Sequence, residues 1–180
     1  MILSVSFKNE WHYGESQDEA SQLITEVMKG LRGEEESDGL YWTGDDAWFC
    51  LADRRHSNED QVSGSYLRVA VNRHTGYGAL IWLVDQADPR KGGVYDSVWI
   101  SDNPESPDFD PRVVSDPGYP LFHDPSSTLP VAQIRAALEE YCRAYTGERP
   151  ECISWVEGHL NGQRLDRPSI VDFVENISID

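Results

Sequence analysis

The tightest constraint on the fold is a pair of neighbouring strand-like runs, Tyr66–Asn72 and Gly78–Val84, joined through the turn His74-Thr75-Gly76. In the first run Leu67, Val69 and Val71 fall on one face, the alternation of a strand with a buried side. The second, Gly78-Ala79-Leu80-Ile81-Trp82-Leu83-Val84, is apolar on both faces and therefore belongs in the middle of a sheet. So short a connection forces the two runs to pair antiparallel. Further strands are expected at residues 2–8, Trp48–Leu51, Asp96–Ser101 and Glu151–Val156. Val113-Val114-Ser115 and Tyr119-Pro120-Leu121-Phe122 flank Asp116-Pro117-Gly118 and read as a small hairpin or an irregular edge.

Two segments carry helical periodicity. Ser16 followed by Glu19 forms a capping box, and Ala20, Leu23, Ile24, Val27, Met28 and Leu31 then mark one apolar face, with Gly33 as the expected stop. The second helix is expected to begin at Pro130 as its first residue, to carry Val131, Ile134, Leu138, Tyr141, Cys142 and Tyr145 as its stripe, and to end at Gly147. Residues 34–46, 53–63, Asp88–Gly93 and 102–112 read as loops, with Glu34-Glu35-Glu36 as a solvated exit from the first helix. Ile170, Val171, Phe173, Val174 and Ile177 fit a terminal helix or strand. No series of parallel βαβ units is apparent. The expected fold is α+β, a single, largely antiparallel β-sheet with two main helices packed on it, with residues 1–180 forming one domain.

The chain carries 32 Asp and Glu against 15 Lys and Arg, a net charge of −17. Such a surface repels phosphate backbones and anionic lipid, which argues against direct nucleic-acid or membrane binding and favours a partner with a basic surface. Acidity that serves only solubility is the plainer reading. The nineteen aromatic residues are too many for a disordered acidic segment. No apolar run approaches the roughly 20 residues of a membrane span, and the N-terminus lacks a basic leader and cleavage site. These features predict a cytoplasmic protein.

The residues of catalysis are poorly represented. Cys50, Cys142 and Cys152 form no CxxC, and His12, His56, His74, His123 and His159 are scattered, so neither metal nor cofactor is expected. Gly76-Tyr77-Gly78 sits in a hairpin and lacks the ending of a phosphate loop. No G-x-S-x-G elbow is present, and the zinc-deaminase signature is missing. Acid pairs such as Asp45-Asp46 carry little information in so acidic a chain. The expectation is a protein without enzymatic activity.

Two stretches, in order, carry a family resemblance. The first is Gly76-Tyr77-Gly78-Ala79-Leu80-Ile81-Trp82 followed by Ser97-Val98-Trp99-Ile100-Ser101. The second is Leu129-Pro130-Val131 through Arg135-Ala136-Ala137-Leu138-Glu139-Glu140-Tyr141 to Thr146-Gly147-Glu148-Arg149-Pro150 and Cys152-Ile153-Ser154-Trp155. The pattern resembles immunity protein family 1 of bacterial polymorphic toxin systems over about residues 64–157. The resemblance implies an inhibitor that binds a cognate toxin, often a nucleic-acid deaminase and sometimes a nuclease, with no chemistry of its own. An acidic protein suits that task, because an enzyme that holds a phosphate backbone has a basic mouth to be blocked. The alternative is an acidic adaptor or regulatory binding module without a toxin; a small hydrolase, which would need a deep pocket where acids converge with a histidine, ranks third.

Among the motif residues, Gly76, Gly78, Pro130, Gly147 and Pro150 read as backbone geometry, and Trp82, Trp99 and Trp155 as core between sheet and helices. Ser101 belongs to the strand motif. Arg149 is expected to cap the end of the second helix or to pair with an acid. The candidate toxin-binding residues are loop acids with aromatic neighbours: Asp45 and Asp46 beside Trp42 and Trp48, then Asp102, Glu105, Asp108 and Asp110 around Phe109, and finally Asp116 and Tyr119.

Overall fold

The computed structural model describes residues 1–84, 98–119 and 121–168. The chain opens with β1 (Ile2–Phe7) and β2 (Glu10–Gly14), followed by α1 (Gln17–Gly30), β3 (Glu35–Ser37) and β4 (Leu40–Trp42). The sheet-forming middle is β5 (Asp46–Ala52), β6 (Ser65–Asn72), β7 (Tyr77–Val84) and β8 (Val98–Asp102). Then come β9 (Val114–Asp116), β10 (Leu121–Phe122), a 3-10 turn at Pro125–Ser127, β11 (Leu129–Pro130), α2 (Val131–Ala144) and β12 (Ser154–Glu157).

One large antiparallel sheet runs in the order β12-β8-β7-β6-β5-β1-β2, with β11 paired onto β7. The fold is α+β, as expected. The β6–β7 hairpin lies within the sheet, with Leu67 opposite Trp82 and Asn72 opposite Tyr77. Alternation separates the two faces. Leu3, Val5, Phe49, Leu67, Val69, Val71, Leu80 and Trp82 form the main core with Ile24 and Val27 of α1 and Ile134, Leu138 and Tyr141 of α2. The helices are also linked directly, where Arg135 Nη2 donates to Thr25 Oγ1 at 2.8 Å. On the opposite face Ala70 and Ala79 meet Val113 and Val114, and Ile81, Val98 and Ile100 form a separate apolar cluster. Part of that second face is covered by Val113 and Val114, at the start of the expected hairpin, while residues 103–112 form the expected loop.

Local chemistry explains most boundaries. Ser16 Oγ accepts the Glu19 N–H and the Glu19 carboxylate accepts the Ser16 N–H, the reciprocal cap expected for α1. The helix ends at Gly30, three residues before the expected stop. Leu31 there turns extended, donates to the Val27 carbonyl at 2.9 Å, and drives its side chain into the core. Pro130 caps α2 from outside instead of serving as its first residue, and the Val131 N–H donates to the Gly76 carbonyl at 3.0 Å. The helix stops at Ala144, where Tyr145 takes a left-handed conformation, so Gly147 lies beyond the helix in the exit turn.

Two hairpins were not anticipated. Lys8 and Asn9 have φ of 52° and 62°, a two-residue turn that returns the chain into β2. The 34–46 segment is not a loop throughout: Asp38 and Gly39, with φ of 53° and 75°, join β3 to β4. Glu35 and Glu36 are therefore strand residues. The expected loop at Asp88–Gly93, the start of the strand expected at Asp96, and the terminal element from Ile170 to Ile177 lie outside the described residues.

Candidate protein-binding face

Two segments distant in sequence meet on the side of the sheet away from the helices. A Cβ on Gly44 would stand 2.9 Å from Val114 Cγ1, so the chain leaving β4 packs directly on β9. Arg112 completes the junction. Its Nε and Nη2 donate to the two carboxylate oxygens of Glu34, each at 2.6 Å, and Nη2 also reaches the Tyr41 hydroxyl at 3.1 Å. The guanidinium lies 3.9 Å from the Phe122 ring centroid. Tyr41 donates its hydroxyl to the same Glu34. The Arg112 hydrogen bonds hold the Glu34 carboxyl below the usual carboxylate range against the opposing effect of burial, and the bond to Glu34 pushes the Tyr41 phenol up. Arg112 itself has φ of 51°, and Asp110 Oδ1 accepts its backbone N–H at 2.9 Å. Glu34 thus works as a bidentate clamp between the β3–β4 ribbon and the 102–122 segment.

Beside this junction lies an open cleft of about 450 Å³ bounded by Lys8, Arg32, Trp42, Asp45, Asp46, Trp48 and Pro117. Its two acids are already engaged. Asp45 accepts from Arg32 Nε at 3.0 Å, and Arg32 also stacks on Trp42 at 4.8 Å. Asp46 accepts from Arg68 Nε and from Trp48 Nε1, and Arg68 stacks on Trp48 at 5.3 Å. Among the described residues no histidine lines the cleft, and acids do not converge there on a reacting position.

The remaining candidates divide in the same way. Asp102 is held by Arg164 Nη2 at 2.7 Å, and Asp116 Oδ1 accepts the N–H groups of Gly118 and Tyr119 in a side-chain turn. Glu105, Asp108 and Asp110 are exposed. Exposed Phe109 meets Tyr77 edge-on at 5.6 Å, and Tyr119 is 70 % exposed. The structure therefore presents Trp42, Glu105, Asp108, Phe109 and Tyr119 to solvent, leaves Asp110 exposed while one of its oxygens accepts the Arg112 N–H, and turns Asp45, Asp46, Asp102 and Asp116 to internal duties. It adds Leu40 and Tyr41, which the sequence reading passed over, although the Asp38-Gly39 pair signals their hairpin.

The motif residues make close contacts within the chain. Gly76, with φ of 76°, makes the β6–β7 turn, while at Gly78 a Cβ would stand 2.8 Å from the Ala70 carbonyl oxygen and 3.0 Å from Ile134 of α2. Ser101 Oγ accepts the Leu80 N–H at 3.0 Å and donates to the Ser127 carbonyl at 2.6 Å. Trp82 is fully buried, and its Nε1 donates to the Gly147 carbonyl at 3.0 Å; Trp99 and Trp155 are partly buried against the same core. The Pro150 carbonyl accepts Trp155 Nε1 at 2.7 Å. Among the described residues Arg149 neither caps α2 nor pairs with an acid. Its guanidinium lies 4.1 Å from the Trp99 ring centroid and 5.8 Å from that of Trp155, because the exit turn carries it back over these strands. Glu140 caps the Glu151 and Cys152 N–H groups at 2.8 and 3.0 Å.

Among the described residues no group of three His, Cys, Asp or Glu side chains is placed to hold a metal ion. Burial pushes the Cys50 and Cys142 thiols up to about 12, the reverse of nucleophile activation. No helix among the described residues is long and apolar enough to cross a membrane.

Residues 12–157 match the profile of a family described as Immunity protein Imm1. Comparison with curated proteins gives no match, and neither does comparison with solved structures.

Proposed function

The chain belongs to the Imm1 family of immunity proteins, and we propose that it neutralises a cognate bacterial toxin by binding it and covering a basic, nucleic-acid-processing active site. The observation that carries this reading is the face just described, where Leu40, Tyr41, Trp42, Phe109 and Tyr119 stand exposed among Glu35, Glu36, Asp38, Glu105, Asp108 and Asp110. Large apolar side chains supply a desolvated centre for binding, and an acidic surround steers a cationic partner toward it. Of the basic residues near this face, Arg32 and Arg112 are tied to Asp45 and Glu34, so they do not offset the free acids.

The inhibitor acts as an obstacle. No bond is made or broken by its own side chains; the toxin's nucleic-acid substrate is excluded by charge and by volume. We assign the toxin to the deaminases or nucleases that the family resemblance implies, both of which hold a phosphate backbone in a basic mouth. The family resemblance implies a toxin encoded beside its inhibitor, so co-expression with the toxin domain of the adjacent gene tests the proposal. The expected result is survival of the host and a one-to-one complex on size exclusion. Continued toxicity with no complex contradicts it.

A further inference from the structure

We infer that the β3–β4 ribbon is a preformed finger that enters a cleft on the toxin, with Leu40 as its apolar anchor in a cleft whose rim is basic; this rests on the immunity reading above. Every residue from Glu35 to Trp42 is exposed, and Leu40 is 77 % exposed. A Cβ built on Gly39 meets no atom within 4 Å, so the turn stands clear of the rest of the protein. An isolated two-stranded ribbon is at best marginally stable in water. This one is nonetheless shaped and braced. Asp38 and Gly39 form the turn type whose twist matches that of the flanking strands. Arg112 grips Glu34 and Tyr41 from one side, and Arg32 stacks on Trp42 from the other. Ordering such an element contributes nothing to either apolar face of the sheet. It does remove in advance the cost of ordering a binding loop.

The tip is chemically selective. Leu40 lies opposite Ser37, next to the turn, and belongs to none of the apolar clusters formed by the described residues, while Glu36 and Asp38 have no ion-pair partner among them. A second copy of this chain is disfavoured as the occupant, since ribbon-to-ribbon pairing sets Glu35, Glu36 and Asp38 against their own counterparts. A phosphate or anionic lipid surface is repelled for the same reason. A protein cleft with lysine or arginine at its mouth and apolar side chains below satisfies both the acids and Leu40.

The test measures binding of the purified full chain to the toxin domain from the adjacent gene, for wild type, Leu40→Ala, the double variant Glu36→Gln/Asp38→Asn, and Glu59→Gln. Glu59 lies in the loop after β5, at the far end of that strand from the ribbon. Leu40→Ala is expected to weaken the complex about tenfold or more. The double variant is expected to slow association several-fold at low salt with less change in dissociation, and Glu59→Gln to match wild type. All the altered side chains are solvent-exposed, so melting temperatures should be unchanged. Wild-type binding with Leu40→Ala equally tight overturns the finger and leaves the immunity reading standing. Failure of wild type to bind overturns both. A wild-type dimer that Leu40→Ala dissociates assigns the ribbon to self-pairing and also overturns the inference.

Discussion

Asp46→Asn separates structural acids from partner-facing ones. The Arg68 side chain is only 8 % exposed and that of Asp46 22 %. The guanidinium donates to Asp46 and to the Leu160 carbonyl at 2.9 Å, and lies over the Trp48 ring. Removing the carboxylate charge strands a nearly dry cation beside one carbonyl. Breaking a fully buried pair in this way costs about 3–5 kcal/mol. Some water reaches Asp46 and the amide oxygen of Asn still accepts, which reduces the expected loss to about 2–3 kcal/mol. For a chain of 180 residues this lowers Tm by roughly 5–10 °C. Urea denaturation followed by tryptophan fluorescence measures it. Affinity for the toxin, taken below the unfolding transition, should change little. A stability loss under about 1 kcal/mol, or a large loss of affinity in a fully stable variant, refutes the assignment of Asp46 to the interior.

Gly147→Ala should cost about 2–4 kcal/mol in the same assay. A φ of 71° strains any other residue, and a Cβ there would stand 2.6 Å from Ser65 Oγ, displacing a hydroxyl that donates to the Gly147 carbonyl. Ser16→Ala should cost about 1 kcal/mol, visible as a small shift in the urea midpoint, because the Glu19 N–H loses its acceptor. His123 is buried, and desolvation, aided by the positive charge of Arg68, pushes its imidazole down to about 3. The unfolded chain takes up this proton near pH 6.5 and the folded chain does not, so the contribution is intact above that pH and is lost as pH falls toward 3. Stability should drop by up to about 1.4 kcal/mol per unit across this window. Denaturation at pH 7, 6 and 5 should show the slope in wild type, and His123→Gln should flatten it.

What was legible in the sequence was local. The Ser16–Glu19 cap, the alternation of Leu67, Val69 and Val71, and the turn at Gly76 each act within a few residues, and each lies where periodicity placed it. The Asp38-Gly39 hairpin was equally local, yet β3 reads Glu35-Glu36-Ser37 where a strand pattern carries β-branched residues, and β4 is only three residues long, so composition concealed it. The site's electrostatics were not legible, because they depend on partners far apart in the chain. Glu34 meets Arg112 across 78 positions, and Arg68 reaches Leu160 across 92. Asp45 and Asp46 look in the sequence like Glu105 and Asp108; only the fold shows that the first two already hold arginines while the second two face solvent.

The most direct measurement is a titration of the toxin's catalytic activity with this protein at toxin concentrations well above Kd. Stoichiometric occlusion predicts a linear fall to zero activity at one equivalent, unchanged by longer incubation. Activity that persists in the saturated complex, or inhibition by a small fraction of an equivalent that deepens with time, contradicts the account.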